Sequence, residues 1–271
     1  TAVLPLPDDK TSWENLNIIF STAKGTVRRN ALSDFVKIQS SGKIAMKLSD
    51  DDKLIGVHTC EEKENDFFLS TKEGKCLRFP ISNVRKFSGR NSVGVRGIKL
   101  SKDDTVISMY ILKHAKFSID ERNNYLKIAN SIRRKELQRS MPFSKLSKGI
   151  KIIEEKFVEM ENIEEFILSV ADNGFGKRSS AYEYRITSRG GKGIANMAVS
   201  KKTGKVVSSF PVNEKDDVML IAGTGKLIRS PVNKIRIAGR TTQGVTLFKV
   251  ESSEKVLSAA SIKDLNINSE E

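Results

Sequence analysis

The sequence predicts an all-β protein: a propeller-like array of about five four-stranded blades, with an incomplete first blade and a helical hairpin as an insert. Three observations lead to this fold class. A unit made of an apolar run, a glycine and an arginine occurs four times in the 271 residues. Two of the three intervals between copies are about fifty residues. Each copy also holds roughly four short apolar runs of strand length, as a propeller blade does, and radial repetition protects the edges of such sheets.

Each unit opens with a predicted β-hairpin. Four to six residues rich in Ile, Leu, Phe and Val precede a glycine, which tolerates the positive φ of a tight turn. An arginine follows four residues later, early on the return strand. The four glycine–arginine pairs are Gly25 with Arg29, Gly74 with Arg78, Gly174 with Arg178, and Gly225 with Arg229.

A second glycine follows 17 to 20 residues after the first and begins an alternating apolar segment, which predicts a half-buried strand. A further strand is expected to close each unit. The segment 2–6 matches a closing strand whose unit is missing, so we expect the chain to be a fragment with a truncated first blade. The second glycines are Gly42, Gly94, Gly193 and Gly244, and the closing strands span 53–57, 105–109, 205–209 and 255–259.

One segment, 113–164, breaks the period and has the apolar spacing of helices. Apolar residues from Tyr125 to Ile132, and again from Ile150 to Met160, recur every three or four residues. Ser118 and Glu121 match a capping box, which marks a helix start. We predict an α-hairpin of two helices of about 15–20 residues, the first basic and the second acidic.

We predict a single domain over 1–271 that contains four complete repeats and the insert. The polar end of the chain is predicted to be disordered. The repeats are placed at about 7–57, 58–112, 165–209 and 210–259, the insert at 113–164 and the disordered tail at 264–271.

The composition indicates a polyanionic partner. Lysine and arginine number 47 against 33 acidic residues, which gives a formal charge of +14 and a pI of about 9.7. A globular chain this basic usually binds a polyanion or an anionic membrane surface. No apolar run approaches the ~20 residues of a membrane span, so we expect no membrane partner. The two cysteines and two histidines are not taken as a zinc site, and free thiols favour a reducing compartment such as the cytoplasm.

The chain offers little for catalysis. Glycine–lysine clusters around Lys177 and Lys226 invite comparison with a phosphate-binding loop, which needs G-x-x-x-x-G-K followed by Ser or Thr. Arg178 and Leu227 occupy the Ser/Thr position, and the residues that follow are strand-like. We therefore expect hairpin turns, no catalytic residue and no metal site. A nucleotide hydrolase is the enzymatic alternative.

Basic residues recur in phase with the repeats. If equivalent positions of a closed array face the same way, these charges form a belt around its outer edge. Such a belt suits a bent DNA duplex, because phosphate contacts release counterions and are blind to sequence. The plain alternative is that solvent-facing strand residues are commonly basic. The candidate DNA-binding residues are Lys24, Arg28, Arg29, Lys72, Lys75, Arg78, Arg85, Lys86, Arg90, Arg96, Lys177, Arg178, Arg185, Arg189, Lys192, Lys226, Arg229, Lys234, Arg236 and Arg240.

The repeats resemble those of a known family. KGTVRRNALSDF, EGKCLRF, NGFGKR and above all GKLIRSPVNKIRIAGRTTQGV are similar to repeats of the C-terminal domain of the DNA gyrase A subunit. The resemblance covers nearly the whole chain except the insert. The matching domain of topoisomerase IV, whose repeats are more eroded, is one alternative, and the well-preserved GRTTQGV favours gyrase. A protein-interaction propeller with a basic rim is the other alternative.

The resemblance implies a β-pinwheel whose outer rim binds, bends and wraps duplex DNA without sequence specificity. In the holoenzyme this wrapping supports ATP-dependent negative supercoiling. The cleaving tyrosine would lie in the preceding part of the gyrase A subunit, whereas the ATP site would lie in the gyrase B subunit. This chain alone is therefore expected to be no enzyme and to hold no cofactor, whereas the holoenzyme uses ATP and Mg²⁺. The implied partners are double-stranded DNA, the N-terminal breakage-reunion part of the gyrase A subunit, and the gyrase B subunit, in a bacterial cytoplasm.

The family's first blade also carries a heptad, Q-R-R-G-G-K-G, that is needed for wrapping. Five of its seven positions are matched by TSRGGKG at 187–193, which lies in a later repeat. We interpret this segment as the equivalent loop of a later blade, with Arg189 and Lys192 as candidate phosphate ligands. We do not assign it the role of the heptad.

Overall fold

The computed structural model describes residue 4 and residues 6–37, 42, 44–114, 116–251 and 254–263. Strands dominate, and short 3₁₀ turns follow the hairpins. The strands are β1 Asn17–Thr22, β2 Thr26–Ala31, β3 Leu54–Cys60, β4 Asn65–Thr71, β5 Lys75–Pro80, β6 Val95–Arg96, β7 Val106–Lys113, β8 Phe166–Ala171, β9 Phe175–Ser180, β10 Ile194–Ala195, β11 Val206–Val212, β12 Asp217–Ala222, β13 Leu227–Pro231, β14 Val245–Thr246 and β15 Val256–Ile262. The helices are α1 Ile119–Arg133, α2 Phe143–Leu146 and α3 Glu154–Asn162.

The strands form four antiparallel sheets, which we call blades 1 to 4. Their orders are β3-β1-β2-β6, β7-β4-β5-β10, β11-β8-β9-β14 and β15-β12-β13. Each of the first three blades therefore combines a hairpin and a closing strand of one repeat with a short outer strand from the next repeat. In the described residues blade 4 has three strands. The all-β propeller class and the predicted hairpins and closing strands are confirmed.

The segments after the second glycines differ from the prediction. They were expected to form half-buried strands within their own units, but β6, β10 and β14 each have two residues and pair with the preceding blade. Residues 44–48 form no strand. The predicted closing strand at 2–6 falls largely outside the described residues, and the tail at 264–271 does so entirely.

The closing strands β3, β7, β11 and β15 pack against one another in succession and occupy the middle of the array. The outer strands lie at the opposite end of each sheet. Apolar cores fill the space between neighbouring blades: Ile19 and Val27 of blade 1 pack with Phe67 and Leu69 of blade 2. Burial of each such side chain stabilises the fold by about 1.5–3 kcal/mol.

The hairpin glycines are needed for two reasons. Gly174 has a φ of +79°, in the left-handed region. Its carbonyl also accepts hydrogen bonds from the N–H groups of Leu247 and Phe248 in the next repeat, at 2.8 and 3.1 Å. A β-carbon on Gly174 would overlap the carbonyl of Phe248. The glycine therefore makes both the turn and the close approach of the next repeat possible.

The insert contains three helices, so the prediction of a two-helix hairpin is wrong in number. α1 has the predicted length of 15 residues and the capping box of Ser118 and Glu121, whereas α3 has nine residues and α2 four. Tyr125 and Tyr182 meet edge to face at 5.3 Å between ring centroids. Because Tyr182 lies in the 3₁₀ turn Ala181–Glu183, the insert docks onto the start of the third repeat's linker.

Candidate nucleic-acid interface

The hairpin arginines of the first three repeats are buried. Arg29, Arg78 and Arg178 are 4%, 2% and 4% exposed. The expectation that they face a duplex on an open rim is therefore wrong. The segment that follows the hairpin of the next repeat covers them. It runs parallel to β2, β5 and β9 and forms a β-bridge at each of these arginines.

Each buried hairpin arginine lies within ion-pair distance of a carboxylate. Arg29 pairs with Glu62 at 3.0 Å and Arg178 with Glu214 at 3.0 Å. Arg178 also donates from Nε to the carbonyl of Ile235 at 2.8 Å, in the linker of the next repeat. These side chains therefore join a blade to its neighbour.

Arg78 has the most complete set of partners. Its Nε donates to the buried carboxylate of Asp66 at 2.8 Å, and its two Nη groups donate to the carbonyls of Ala181 and Lys113 at 2.9 and 2.6 Å. The Nδ1 atom of His114 lies 2.7 Å from the other oxygen of Asp66. The cluster fastens blade 2 to the chain on both sides of the insert.

Two further candidates, Arg28 and Lys177, are fully buried. Arg28 donates to the carbonyls of Ser92 and Gly89, and burial lowers its pKa. Lys177 Nζ lies 3.0 Å from the carbonyl of Asn196 and 2.9 Å from that of Gly239, and burial lowers its pKa to about 7. The structure thus places neither cation where it meets a duplex, and Lys177 lies on a β-hairpin rather than a phosphate loop.

Arg229, the hairpin arginine of blade 4, is different. Its side chain is 66% exposed and pairs with Asp217 at 2.5 Å. No strand of the described chain pairs with the outer side of β13. Lys226, at the same hairpin, lies 3.5 Å from Glu251 and is exposed.

Most of the exposed candidate cations lie on the linkers, the segments that run from each hairpin through the next outer strand; we define them as linker 2 (81–100), linker 3 (181–199) and linker 4 (232–250). Arg85, Arg185 and Arg236 hold equivalent positions, each directly after a buried residue, and all are exposed. The side chains of Arg185 and Arg236 form no hydrogen bond or ion pair with the described residues. Also exposed are Lys86, Arg96, Lys192 and Lys234, together with Lys24 and Lys72 at hairpin tips, and Lys75 is half-buried.

The linkers concentrate the charge of the protein. Linker 2 has five basic residues (Lys and Arg) and no acidic residue. Linker 3 has three basic residues and one acidic residue, and linker 4 has four basic residues and no acidic residue. Their net charges of +5, +2 and +4 make +11 of the formal +14. Because each linker contains the outer strand of the preceding blade, this charge lies at the end of blades 1 to 3 farthest from the packed closing strands.

The remaining linker arginines, Arg90, Arg189 and Arg240, are half-buried. Arg189 and Arg240 donate to main-chain carbonyls of the preceding linker, and Arg90 donates to the carbonyl of Ile44 in the first repeat. Arg189 and Lys192 also line a cleft of about 560 Å³ together with the glycines of TSRGGKG.

Sequence reasoning missed a recurring lysine. Lys47, Lys99 and Lys249 each follow the second glycine of their repeat by five residues, and all three are exposed. Lys99 shares a cleft of about 330 Å³ with Lys24 and Arg96. The recurrence is visible in the sequence, but the alternating pattern of these segments predicts only strands.

The described residues contain little reactive chemistry. They hold no group of three or more His, Cys, Asp or Glu side chains placed to bind a metal. Cys60 and Cys76 are free and buried, and burial raises the pKa of each thiol to about 12. Among the helices of the described chain, none is long and apolar enough to cross a membrane.

Comparison with known proteins accounts for the repeats. The model of a family described as "DNA gyrase C-terminal domain, beta-propeller" matches residues 16–61, 65–113, 165–213 and 216–263. The chain belongs to this family. The matched spans leave out the helical insert, and the resemblance seen in the sequence is confirmed.

Curated relatives and solved structures agree. The DNA gyrase A subunit of Rickettsia bellii is 50% identical over 271 residues, all of this chain and 30% of that protein. Its Escherichia coli counterpart is 31% identical over 95% of this chain and 23% of that protein. The chain thus spans less than a third of either relative. Among solved structures, a DNA gyrase A C-terminal domain matches 92% of this chain and 67% of that one, with a TM-score of 0.65 and 21% identity. A topoisomerase IV C-terminal domain matches 96% and 65%, with a TM-score of 0.70 and 19% identity, so the fold alone does not separate the two.

Proposed function

We propose that this domain binds duplex DNA along its outer edge, without sequence specificity, and bends it around the array. The observation that carries the proposal is the concentration of +11 of the formal +14 charge on three equivalent linkers. Arg85, Arg185 and Arg236 are the principal phosphate ligands, supported by the exposed lysines beside them. The buried hairpin arginines position the linkers and do not touch DNA.

The physics of a duplex suits this arrangement. Neutralising a phosphate releases counterions, and the logarithm of the binding constant falls by about 0.9 per neutralised phosphate for each tenfold rise in salt. Bending costs of order 1–6 kcal/mol for 20–30 base pairs. Repeated cationic linkers offset this cost by adding contacts with each blade that the duplex passes.

In the whole protein, we propose, this bending presents a DNA segment to the rest of the gyrase A protein and supports negative supercoiling. The energy would come from ATP, used with Mg²⁺ by the gyrase B protein outside this chain. The chain itself would work in the bacterial cytoplasm and contribute no catalytic group or cofactor. The 48–50% identity to gyrase A proteins supports this role over that of topoisomerase IV. The 271 residues do not contain the heptad Q-R-R-G-G-K-G, so we expect this stretch, tested by itself, to bend DNA but to trap little writhe on a relaxed, religated plasmid.

The test uses paired charge reversals in the full chain. Arg185→Glu with Arg236→Glu removes equivalent cations from neighbouring linkers, while Lys63→Glu makes the same type of change at an exposed residue in the turn between β3 and β4. Affinity for duplexes of increasing length is measured by fluorescence anisotropy at several salt concentrations. We expect the double variant to bind every sequence more weakly with a shallower salt slope, and Lys63→Glu to bind like wild type.

Two results would contradict the proposal. Equal affinity of the double variant and wild type would show that the linkers do not bind DNA. Weak binding by wild type that does not increase with duplex length would instead favour a protein-interaction propeller that uses its basic rim for acidic partners.

A further inference from the structure

We propose that Arg90, Arg189 and Arg240 are positioning residues that set the angle between successive blades, and thereby the curvature of the bound duplex. The part of this inference that concerns DNA rests on the proposed function, whereas the part that concerns the blades does not. All three arginines lie four residues before the second glycine of their repeats. All three are half-buried, unlike the exposed arginines elsewhere on the same linkers.

Arg189 joins linker 3 to both ends of linker 2. Its Nε donates to the carbonyl of Asn83 at 2.9 Å, and its Nη1 donates to the carbonyl of Arg96 at 2.8 Å. Asn83 ends the 3₁₀ turn at the beginning of linker 2, and Arg96 is the last residue of β6, near the end of linker 2. One guanidinium thus holds two points that are 13 residues apart in the chain.

Arg240 makes the same contact one junction further along. Its Nε donates to the carbonyl of Glu183 at 3.2 Å, and its Nη1 donates to the carbonyl of Ala195 at 2.6 Å. Glu183 ends the 3₁₀ turn of linker 3, and Ala195 is the last residue of β10. The acceptors are therefore the structural equivalents of those that Arg189 uses, and the same nitrogen meets each one.

The first junction repeats part of the pattern. Arg90 donates from Nη1 to the carbonyl of Ile44 at 3.0 Å. Ile44 follows its repeat's second glycine by two residues, as Arg96 and Ala195 do. The same kind of bond therefore occurs at all three blade junctions of the described chain.

This geometry suits angular control. A guanidinium is planar and rigid, and its donors fix the directions of two acceptors in one plane. Since both acceptors belong to the preceding linker, a rotation of one blade against the next breaks at least one bond. Carbonyl acceptors are also independent of side-chain identity, so the clamp can recur although the acceptor residues differ. Curvature of the cationic edge is then a sum of clamped steps.

Arginine-to-lysine substitutions separate the effect of charge from that of geometry. Lysine keeps the positive charge of arginine but not its rigid, forked set of donors. Arg189→Lys combined with Arg240→Lys, which we call the clamp pair, should therefore keep the attraction to phosphate and loosen two blade junctions. The control pair is Arg134→Lys with Arg139→Lys, which makes the same substitutions at two exposed arginines of the insert, outside the linkers.

Three measurements on the full chain test the idea. Small-angle scattering of the free protein reports the angle between blades. Energy transfer between dyes at the ends of a duplex of about 100 base pairs reports the bend, and anisotropy with a duplex of about 20 base pairs reports local affinity. We expect the clamp pair to have a larger radius of gyration and lower transfer efficiency, with affinity for the short duplex within about twofold of wild type. The control pair should match wild type in all three measurements.

The outcomes are decisive in either direction. Unchanged scattering of the clamp pair would overturn the inference, as would a loss of short-duplex affinity without a change of shape, which would make these arginines phosphate ligands. If the clamp pair does not fold, Arg90→Lys, which removes a single bond, is measured instead. Loss of folded structure there too, by circular dichroism, would make the arginines general stability residues and also overturn the inference. If wild type binds no DNA, the proposed function fails, and the scattering comparison still decides whether the clamps exist.

Discussion

Replacement of Gly174 by alanine tests how the repeats are joined. Alanine at the φ of +79° costs about 1–2 kcal/mol, because the left-handed region places the β-carbon too close to the following carbonyl. The β-carbon would also overlap the carbonyl of Phe248, so the backbone of the next repeat must move. That movement weakens two hydrogen bonds to the carbonyl of Gly174, each contributing about 0.5–1.5 kcal/mol. We therefore expect a total loss of about 2–5 kcal/mol in the free energy of unfolding.

The chain supplies its own control at the last hairpin. Gly225 has a φ of +83°, but a β-carbon there would meet no atom within 4 Å. Gly225→Ala should therefore lose only about 1–2 kcal/mol, the cost of the backbone conformation. The two variants are compared by urea unfolding followed by circular dichroism, with the midpoint and the m-value fitted together. Equal losses in the free energy of unfolding for the two variants would refute the view that the backbone of the next repeat makes the hairpin glycines of the first three repeats indispensable.

Two further predictions concern buried charges. Arg78→Met leaves the carboxylate of Asp66, which has no exposed surface, without its guanidinium, and should lower the free energy of unfolding by about 3–5 kcal/mol. Arg229→Met removes an exposed pair and should lower it by less than about 1 kcal/mol. Similar losses for the two variants in chemical unfolding would contradict this account. Lys177 has a pKa of about 7 in the fold and about 10.4 when unfolded, so between these values the unfolded chain binds the additional proton. The free energy of unfolding should therefore rise with pH from 7 towards 10, by at most about 1.4 kcal/mol per pH unit. Lys177→Met should remove this slope. Identical pH profiles for wild type and Lys177→Met would show that Lys177 keeps its proton.

Much of the fold could be predicted because its signals are local. A glycine after an apolar run marks a hairpin, and Ser118 with Glu121 marks the start of α1, since each depends only on nearby backbone. The exchange of outer strands could not be predicted in this way. Val95–Arg96 has only two residues, and nothing in its own pattern states whether it pairs with the blade before or after it.

The candidate site was harder because recurrence has two causes. Arg29, Arg78 and Arg178 recur since every junction needs the same structural contact, whereas Arg85, Arg185 and Arg236 recur on a surface that stays open. Alternation did not separate the two sets, because the return strands are buried on both faces: Val27 and Arg28 are neighbours in β2, and both have no exposed surface. Only the path of the following linker distinguishes them, and that path is a tertiary property.

The exchange of outer strands also means that a sequence repeat and a folding unit are different stretches of chain. The second matched span, 65–113, holds three strands of blade 2, but the fourth strand of that blade, Ile194–Ala195, lies about eighty residues beyond its end. Cutting or grafting the protein at repeat boundaries would divide every sheet that it meets. An excised blade would keep its edges paired only if it carried the first half of the following repeat, so the natural boundary for engineering lies inside a repeat rather than between two of them.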